Sequence, residues 1–218
     1  MVAARLARVL ALADGAARSV GRDPESVTVV AVSKGQPVDL MLEAYEAGQR
    51  HFGENRAQEL ARKVPELPGD VSWHMVGHLQ RNKVGLVRPL VAMLHSMDSL
   101  PLARTWAKTN DAPPVLIEVN LAGEPQKNGI DPDGVGELAG AAVDLGLEVA
   151  GLMAIPPFAP DAESSRPWFA ALAELSLSLG GTVGPELSMG MSGDFEVAIA
   201  HGATMVRVGE AIFGRRER

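Results

Sequence analysis

The feature that most constrains this chain is a repeat: short apolar runs alternate with segments of helical period along its whole length. Strand-like runs fall at 27–32, 50–53, 72–76, 91–95, 114–120, 147–154, 185–188 and 204–208. Between them lie helix-period segments at about 37–47, 55–63, 81–87, 99–108, 131–143, 164–178 and 194–200, several followed by Gly or Asn. Strands separated by helices pair in parallel through right-handed crossovers. A doubly wound open sheet and a closed (β/α)8 TIM barrel both satisfy this order. The eight runs favour the barrel, which at 218 residues would be a small one. No G-x-G-x-x-G follows an early strand, so the dinucleotide fingerprint is missing.

Ahead of the first strand, Val2, Leu6, Val9, Leu10 and Ala13 recur at three- and four-residue intervals, with Arg5, Arg8, Asp14 and Arg18 among them. That spacing predicts an extra amphipathic packing helix rather than a signal peptide or anchor. The segments EPQKNG at 124–129 and IPPFAPDAESS at 155–165 read as loops within one barrel domain spanning 1–218. No apolar run approaches the ~20 residues that cross a bilayer. A net charge of −7 argues against a general nucleic-acid binder, which needs a basic surface to displace counterions. The absence of cysteine excludes disulfides and thiolate chemistry and fits a reducing cytoplasm. Arg215, Arg216 and Arg218 read as a solvated tail.

In a barrel of this kind the site lies at the C-terminal ends of the strands, and phosphates sit on the loops after strands 7 and 8. Those loops are ELSMGMSGDFEVAIAHG at 186–202 and MVRVGEAIFG at 205–214. Each offers backbone N–H groups at a helix start, Gly193 and Gly209 permit close approach, and Ser192 adds a hydroxyl. Taken singly, Ser192 or Asp194 is a helix cap and the glycines are turns; their coincidence with both expected loops favours a small-anion site. Lys34 ends the first strand on the same rim. It is a solvated strand end, a point-charge partner for the anion, or an amine that forms a Schiff base with a carbonyl. Arg207, within a strand, pairs with Glu210 or Glu118, or approaches an aromatic nitrogen or phosphate of a ligand; spacing leaves these open. His74 and His78 stand four apart across a strand and the Gly77 turn, so they read as structural histidines and no metal site is expected. Glu54, Glu59 and Asp98 read as helix starts and solvated faces.

Seven stretches carry a resemblance: AVSK at 31–34, EAGQRHFGENRAQEL at 46–60, WHMVGHLQRNKV at 73–84, LHSMDSL at 94–100, VLIEVN at 115–120, GLMAIPP at 151–157 and ELSMGMSGDFEVAIAHGATMVRVGEAIFG at 186–214. The chain resembles the pyridoxal phosphate homeostasis proteins, also called the YggS or PROSC family. The resemblance implies a barrel similar to the N-terminal domain of alanine racemase, with pyridoxal 5'-phosphate (PLP) held as an internal aldimine on Lys34. It implies that Ser192, Gly193 and Gly209 hold the phosphate and that Arg207 lies near the pyridine nitrogen or phosphate. Asn55 and Ser188 are further candidates, each equally readable as a cap or turn residue. Two departures touch the rim: SKGQPV replaces a basic side chain with Gln36, and EPQKNG replaces the commoner serine-lysine-serine-glycine loop.

The cofactor is an electron sink whose depth depends on the partner of its pyridine nitrogen, and an arginine partner makes the sink shallow. The family lacks the racemase's second domain with its catalytic tyrosine, and the one tyrosine here, Tyr45, lies in the helical segment after the first strand. The expectation is a PLP homeostasis protein that buffers or delivers the cofactor without robust catalysis and with no catalytic residue assigned. Its expected partners are PLP and PLP-dependent apo-enzymes, and a monomer is expected. Two alternatives are a low-activity amino-acid racemase and a PLP-free aldolase-like barrel in which Lys34 forms a Schiff base with a phosphorylated substrate.

Overall fold

The computed structural model describes residues 1–109 and 111–215. Eight strands close into one barrel in sequence order. They are β1 Thr28–Val32, β2 His51–Glu54, β3 Ser72–Met75, β4 Met93–Met97, β5 Val115–Val119, β6 Val149–Ala154, β7 Glu186–Ser188 and β8 Met205–Val208. Every pairing is parallel, including the closing one between β8 and β1, where Val30 stands beside Arg207. The helices are α1 Val2–Ser19, α2 Val38–Glu46, α3 Ala57–Lys63, α4 Val84–Val87, α5 Leu100–Trp106, α6 Val135–Asp144, α7 Arg166–Ser178, α8 Phe195–Ala200 and α9 Glu210–Phe213. The closed barrel expected from the alternation is therefore what the chain forms.

Strand residues divide between two layers because successive side chains point to opposite faces. Ala31, Phe52, Trp73, Leu94, Ile117 and Val206 belong to the main core between sheet and helices. A smaller cluster, Met93, Leu116, Ala150, Met153 and Met205, is separate from it and fills the inside of the barrel. Both faces of β5 and β6 are covered, so every residue of these strands is buried and they read as apolar runs, interrupted only by Glu118 in β5. Full burial of each large apolar side chain contributes about 1.5–3 kcal/mol.

The predicted N-terminal helix forms and packs against α2, α8 and α9. It buries Val2, Leu6, Val9, Ala13 and Ala17, while Leu10 faces outward. Arg5 Nη1 donates to the carbonyl of Phe213 at 3.2 Å, joining the first helix to the last. Arg22 Nη1 reaches the carbonyls of Ile199 and Ala203, both at 2.9 Å. Several expected boundaries shift. β2 runs one residue later and takes in Glu54, β4 starts at Met93, and the helices expected at 81–87 and 131–143 open with tight turns at Arg81–Lys83 and Pro132–Gly134. Arg215 is exposed, as expected of a tail, whereas Arg216 and Arg218 lie outside the described residues. Among the described residues no helix is long and apolar enough to cross a membrane.

Candidate functional site at the C-terminal mouth of the barrel

A cavity of about 730 Å³ opens among the loops that follow the strands, walled by Lys34, Asn55, Ser192, Gly193, Arg207 and Gly209. The volume lies in the range of small-molecule sites. Six of the seven residues singled out from the sequence thus meet at one place. The loop at 155–162 forms another side of the mouth and carries Phe158, which is 99% exposed.

Lys34 sits in a tight turn two residues beyond β1, followed by Gly35 at φ 69, a left-handed conformation that glycine adopts without strain. The turn is held from below on both sides of the lysine. Lys63 Nζ donates to the carbonyl of Ser33, to Glu54 Oε1 and to Glu59 Oε1, each at 2.7 Å. Ser33 Oγ donates to Glu54 Oε1 at 2.7 Å, and the Gly35 N–H donates to Glu59 Oε1 at 2.6 Å. Lys63 and Glu54 are essentially inaccessible. Burial pushes the Glu54 carboxyl above the usual range despite the opposing pull of Lys63 and Ser33. Burial also pushes Glu59 upward, but its bonds from Lys63 and Gly35 outweigh that and leave it below the usual value. These placements correct the expectation of solvated acids. Glu54 ends a strand in the interior, and Glu59, though in the first turn of α3, turns inward. Asp98 is half-buried and faces His78 Nδ1 at 3.0 Å.

Across the mouth, the N–H groups of Gly209 and Ala211 converge on Ser192 Oγ at 3.3 and 3.2 Å. An oxygen acceptor at that corner is therefore met by two backbone donors. Gly209 suits that position, since a Cβ there would lie a tight 3.0 Å from the carbonyl oxygen of Val32. Asp194 does not cap α8 with its side chain. It locks the loop instead, accepting from the Met191 N–H at 2.7 Å and from the Ser165 hydroxyl at 2.9 Å. Gln36, the departure on the rim, also lines the cavity, as does Lys127, which bonds the Pro156 carbonyl at 3.1 Å and pairs with Glu124.

Arg207 points inside the barrel and is 4% exposed. Neither Glu210 nor Glu118 bonds it. Its Nη1 donates to Ser188 Oγ at 2.6 Å and its Nη2 to the Ala154 carbonyl at 2.9 Å, while Glu210 pairs with Arg215. Burial lowers its pKa to about 10, against the pull of Glu118 and Asp194, so it stays charged. Glu118 in turn is raised to about 7 by burial and by Asp98, with Arg207 opposing. Ser188, the seventh of the residues singled out from the sequence, lies apart from the other six. It is fully buried beneath Arg207 and is absent from the cavity wall. Asn55 does reach the wall, while its Oδ1 is itself buried with no hydrogen-bond partner.

Behind Ser188 runs a line of histidines that sequence reasoning missed. His95 Nδ1 lies 2.9 Å from Ser188 Oγ, His74 Nδ1 lies 2.9 Å from His95 Nε2, and His51 Nδ1 lies 3.1 Å from His74 Nε2. The signal was their separation by 23 and 21 residues, one strand-to-strand repeat each. His74 partners these rings rather than His78, and among the described residues no group of three or more His, Cys, Asp or Glu is disposed to hold a metal ion.

Residues 16–217 match the alanine racemase N-terminal domain family. Pyridoxal phosphate homeostasis proteins are similar over nearly the whole chain. That of Aquifex aeolicus is 40% identical over 222 residues, covering 98% of this chain and 97% of that protein. That of Escherichia coli K12 is 40% identical over 233 residues, covering 99% and 97%. The chain belongs to the pyridoxal phosphate homeostasis protein family. Its fold matches that of another family member, PipY of Synechococcus elongatus, solved without PLP (TM-score 0.85, 36% identity, 98% of this chain and 100% of that one) and with PLP bound (TM-score 0.82, 35% identity, the same coverage). Alanine racemase of Corynebacterium glutamicum shares the barrel at 18% identity and a TM-score of 0.68, with 62% of that chain covered. The mouth of this family member suits an anionic, aldehyde-bearing aromatic molecule. It combines a lysine amine, a buried guanidinium, an asparagine on the wall and a corner with two backbone donors.

Proposed function

We propose that this chain binds pyridoxal 5'-phosphate at the barrel mouth and serves PLP homeostasis by holding, buffering and delivering it. In this reading Lys34 is the covalent anchor for the aldehyde, and Ser192, Gly193 and Gly209 receive the phosphate. Arg207 faces the aromatic ring or the phosphate, and Asn55 makes a further polar contact. The observation that carries it is the meeting of Lys34, Arg207 and the Ser192–Gly209 corner on one cavity wall, in a family whose member from Synechococcus elongatus has been solved with PLP bound.

The cofactor supplies an electron sink for amino-acid chemistry. The residues around it favour retention over turnover. A ring nitrogen placed beside the Arg207 cation is disfavoured from taking a proton, because like charges at close range repel in a low-dielectric site. Tyr45, the one tyrosine of the chain, is held outside the cavity, its hydroxyl on Asp70 at 2.7 Å and its ring under Arg50. It is thus not available as the second acid/base group that a two-base racemase needs. The protein acts as a monomer in this reading, which sedimentation at micromolar concentration checks.

The deciding experiment is borohydride reduction of PLP-loaded protein followed by peptide mapping, on the wild type and on Lys34→Ala. We expect a reducible chromophore with the label on Lys34 and none in the variant. Label on Lys63, Lys83 or Lys127 of the wild type would overturn the anchor, and a colourless wild type that takes up no PLP would overturn the function.

A further inference from the structure

We infer that His51, His74 and His95 form a one-directional column of neutral imidazoles, each with its proton on Nε2, that acts through Ser188 to pin the Arg207 guanidinium at the cavity wall. The direction follows from counting donors. A guanidinium only donates, so Ser188 Oγ accepts from Arg207 Nη1 at 2.6 Å. The serine has one proton, and the His95 Nδ1 nitrogen stands 2.9 Å away to accept it. If His95 carried its proton on Nδ1, two donors would converge on Ser188 Oγ and the serine proton would be left buried without an acceptor, which is costly. His95 is therefore protonated on Nε2, which donates to His74 Nδ1 at 2.9 Å. His74, protonated on Nε2 by the same logic, donates to His51 Nδ1 at 3.1 Å, and the half-buried His51 ends the column.

Every lone pair in the column faces Arg207 and every proton faces away. Such a chain polarises cumulatively and stabilises a cation at its acceptor end, which suits a guanidinium with 4% exposure and no carboxylate bonded to it among the described residues. A second proton on any of the three rings would set donor against donor. This agrees with the depression of His74 to about 3, by burial and by His51, and with the lowering of His95, by burial, His74 and Arg207. The column ends on a group that does not release its proton, so it orients rather than conducts. His95 is thus a positioning residue: it acts on the cavity only through Ser188 and Arg207.

The tautomers are tested in the protein without added cofactor, by long-range ¹⁵N–¹H correlation of the imidazoles near pH 7.5, with His51, His74 and His95 assigned through single His→Asn variants. The expected result is Nε2–H on all three, and Nδ1–H on His74 or His95 would overturn the column. The bearing on PLP rests on the proposed function and is tested by titrating PLP into His95→Asn and His95→Leu. The asparagine carbonyl can still accept from Ser188, whereas leucine cannot. We expect PLP binding about tenfold weaker for His95→Leu and within about threefold of wild type for His95→Asn, with the borohydride label still on Lys34 in both. Leucine within about twofold of wild type, or an equal loss in both variants, would overturn the positioning role. If the wild type takes up no PLP, the proposed function falls while the tautomer measurement still decides the column.

Discussion

Lys63 makes three hydrogen bonds inside the protein and reaches no solvent, with Glu54 and Glu59 sharing its ammonium. Taking one partner out of a buried ion cluster leaves the others uncompensated, which costs about 3–5 kcal/mol. Lys63→Met is therefore expected to lower unfolding stability by about that much in urea at pH 7.5. The same change frees the turn around Lys34, so the rate of reducible loading should fall in variant protein that remains folded. Glu118 gives a pH-dependent signature. Its folded-state pKa of about 7 lies above the ordinary 4.5, so the folded state holds the proton more tightly. Stability from this group is fully present below pH 4.5 and is lost as pH rises through 7. Glu118→Gln should match the wild type near pH 4.5 and exceed it by about 2–3 kcal/mol at pH 8, measured by denaturant unfolding at both pH values. Equal stability at pH 8 would place the carboxyl in a better-solvated setting than its buried, unbonded Oε2 indicates.

The strands and their order were legible because a strand covered on both faces is apolar at nearly every position, as in VLIEV of β5, where Glu118 is the one polar residue. The end of β2 was not. Glu54 looks like the acid of a helix's first turn, and it is Lys63, nine residues on and on another element, together with the Ser33 hydroxyl, that makes its burial tolerable. The position of Ser188 was not legible either, since a strand-end serine gives no sign of whether it faces the cavity or lies under an arginine. The glycine turns were legible in kind, since Gly209 stands where β8 must pass close to the Val32 carbonyl. Gly209→Ala forces that contact apart and is expected to cost about 1–3 kcal/mol of stability. It should also weaken PLP more than pyridoxal, which lacks the phosphate, when both are titrated in parallel. Equal effects on the two would remove Gly209 from the phosphate corner.

On the scale of the whole molecule, the mouth draws on residues 34, 55, 127, 192 and 207, which sequence separates widely and barrel closure brings together. A ligand that binds only this closed arrangement stabilises it by mass action, about 2.7 kcal/mol at a concentration 100 times its Kd. For a chain of this size that corresponds to a rise in Tm of roughly 5–10 °C, read by calorimetry with PLP present. The shift should shrink sharply in Lys34→Ala.

The bond from Arg5 Nη1 to the Phe213 carbonyl, at 3.2 Å, ties the first helix to the last. A ring of eight strands whose ends touch has no privileged starting point. A circular permutant, with a flexible peptide joining residue 215 back to residue 1 and new ends cut between the exposed residues Pro68 and Gly69, would be expected to refold to the same barrel.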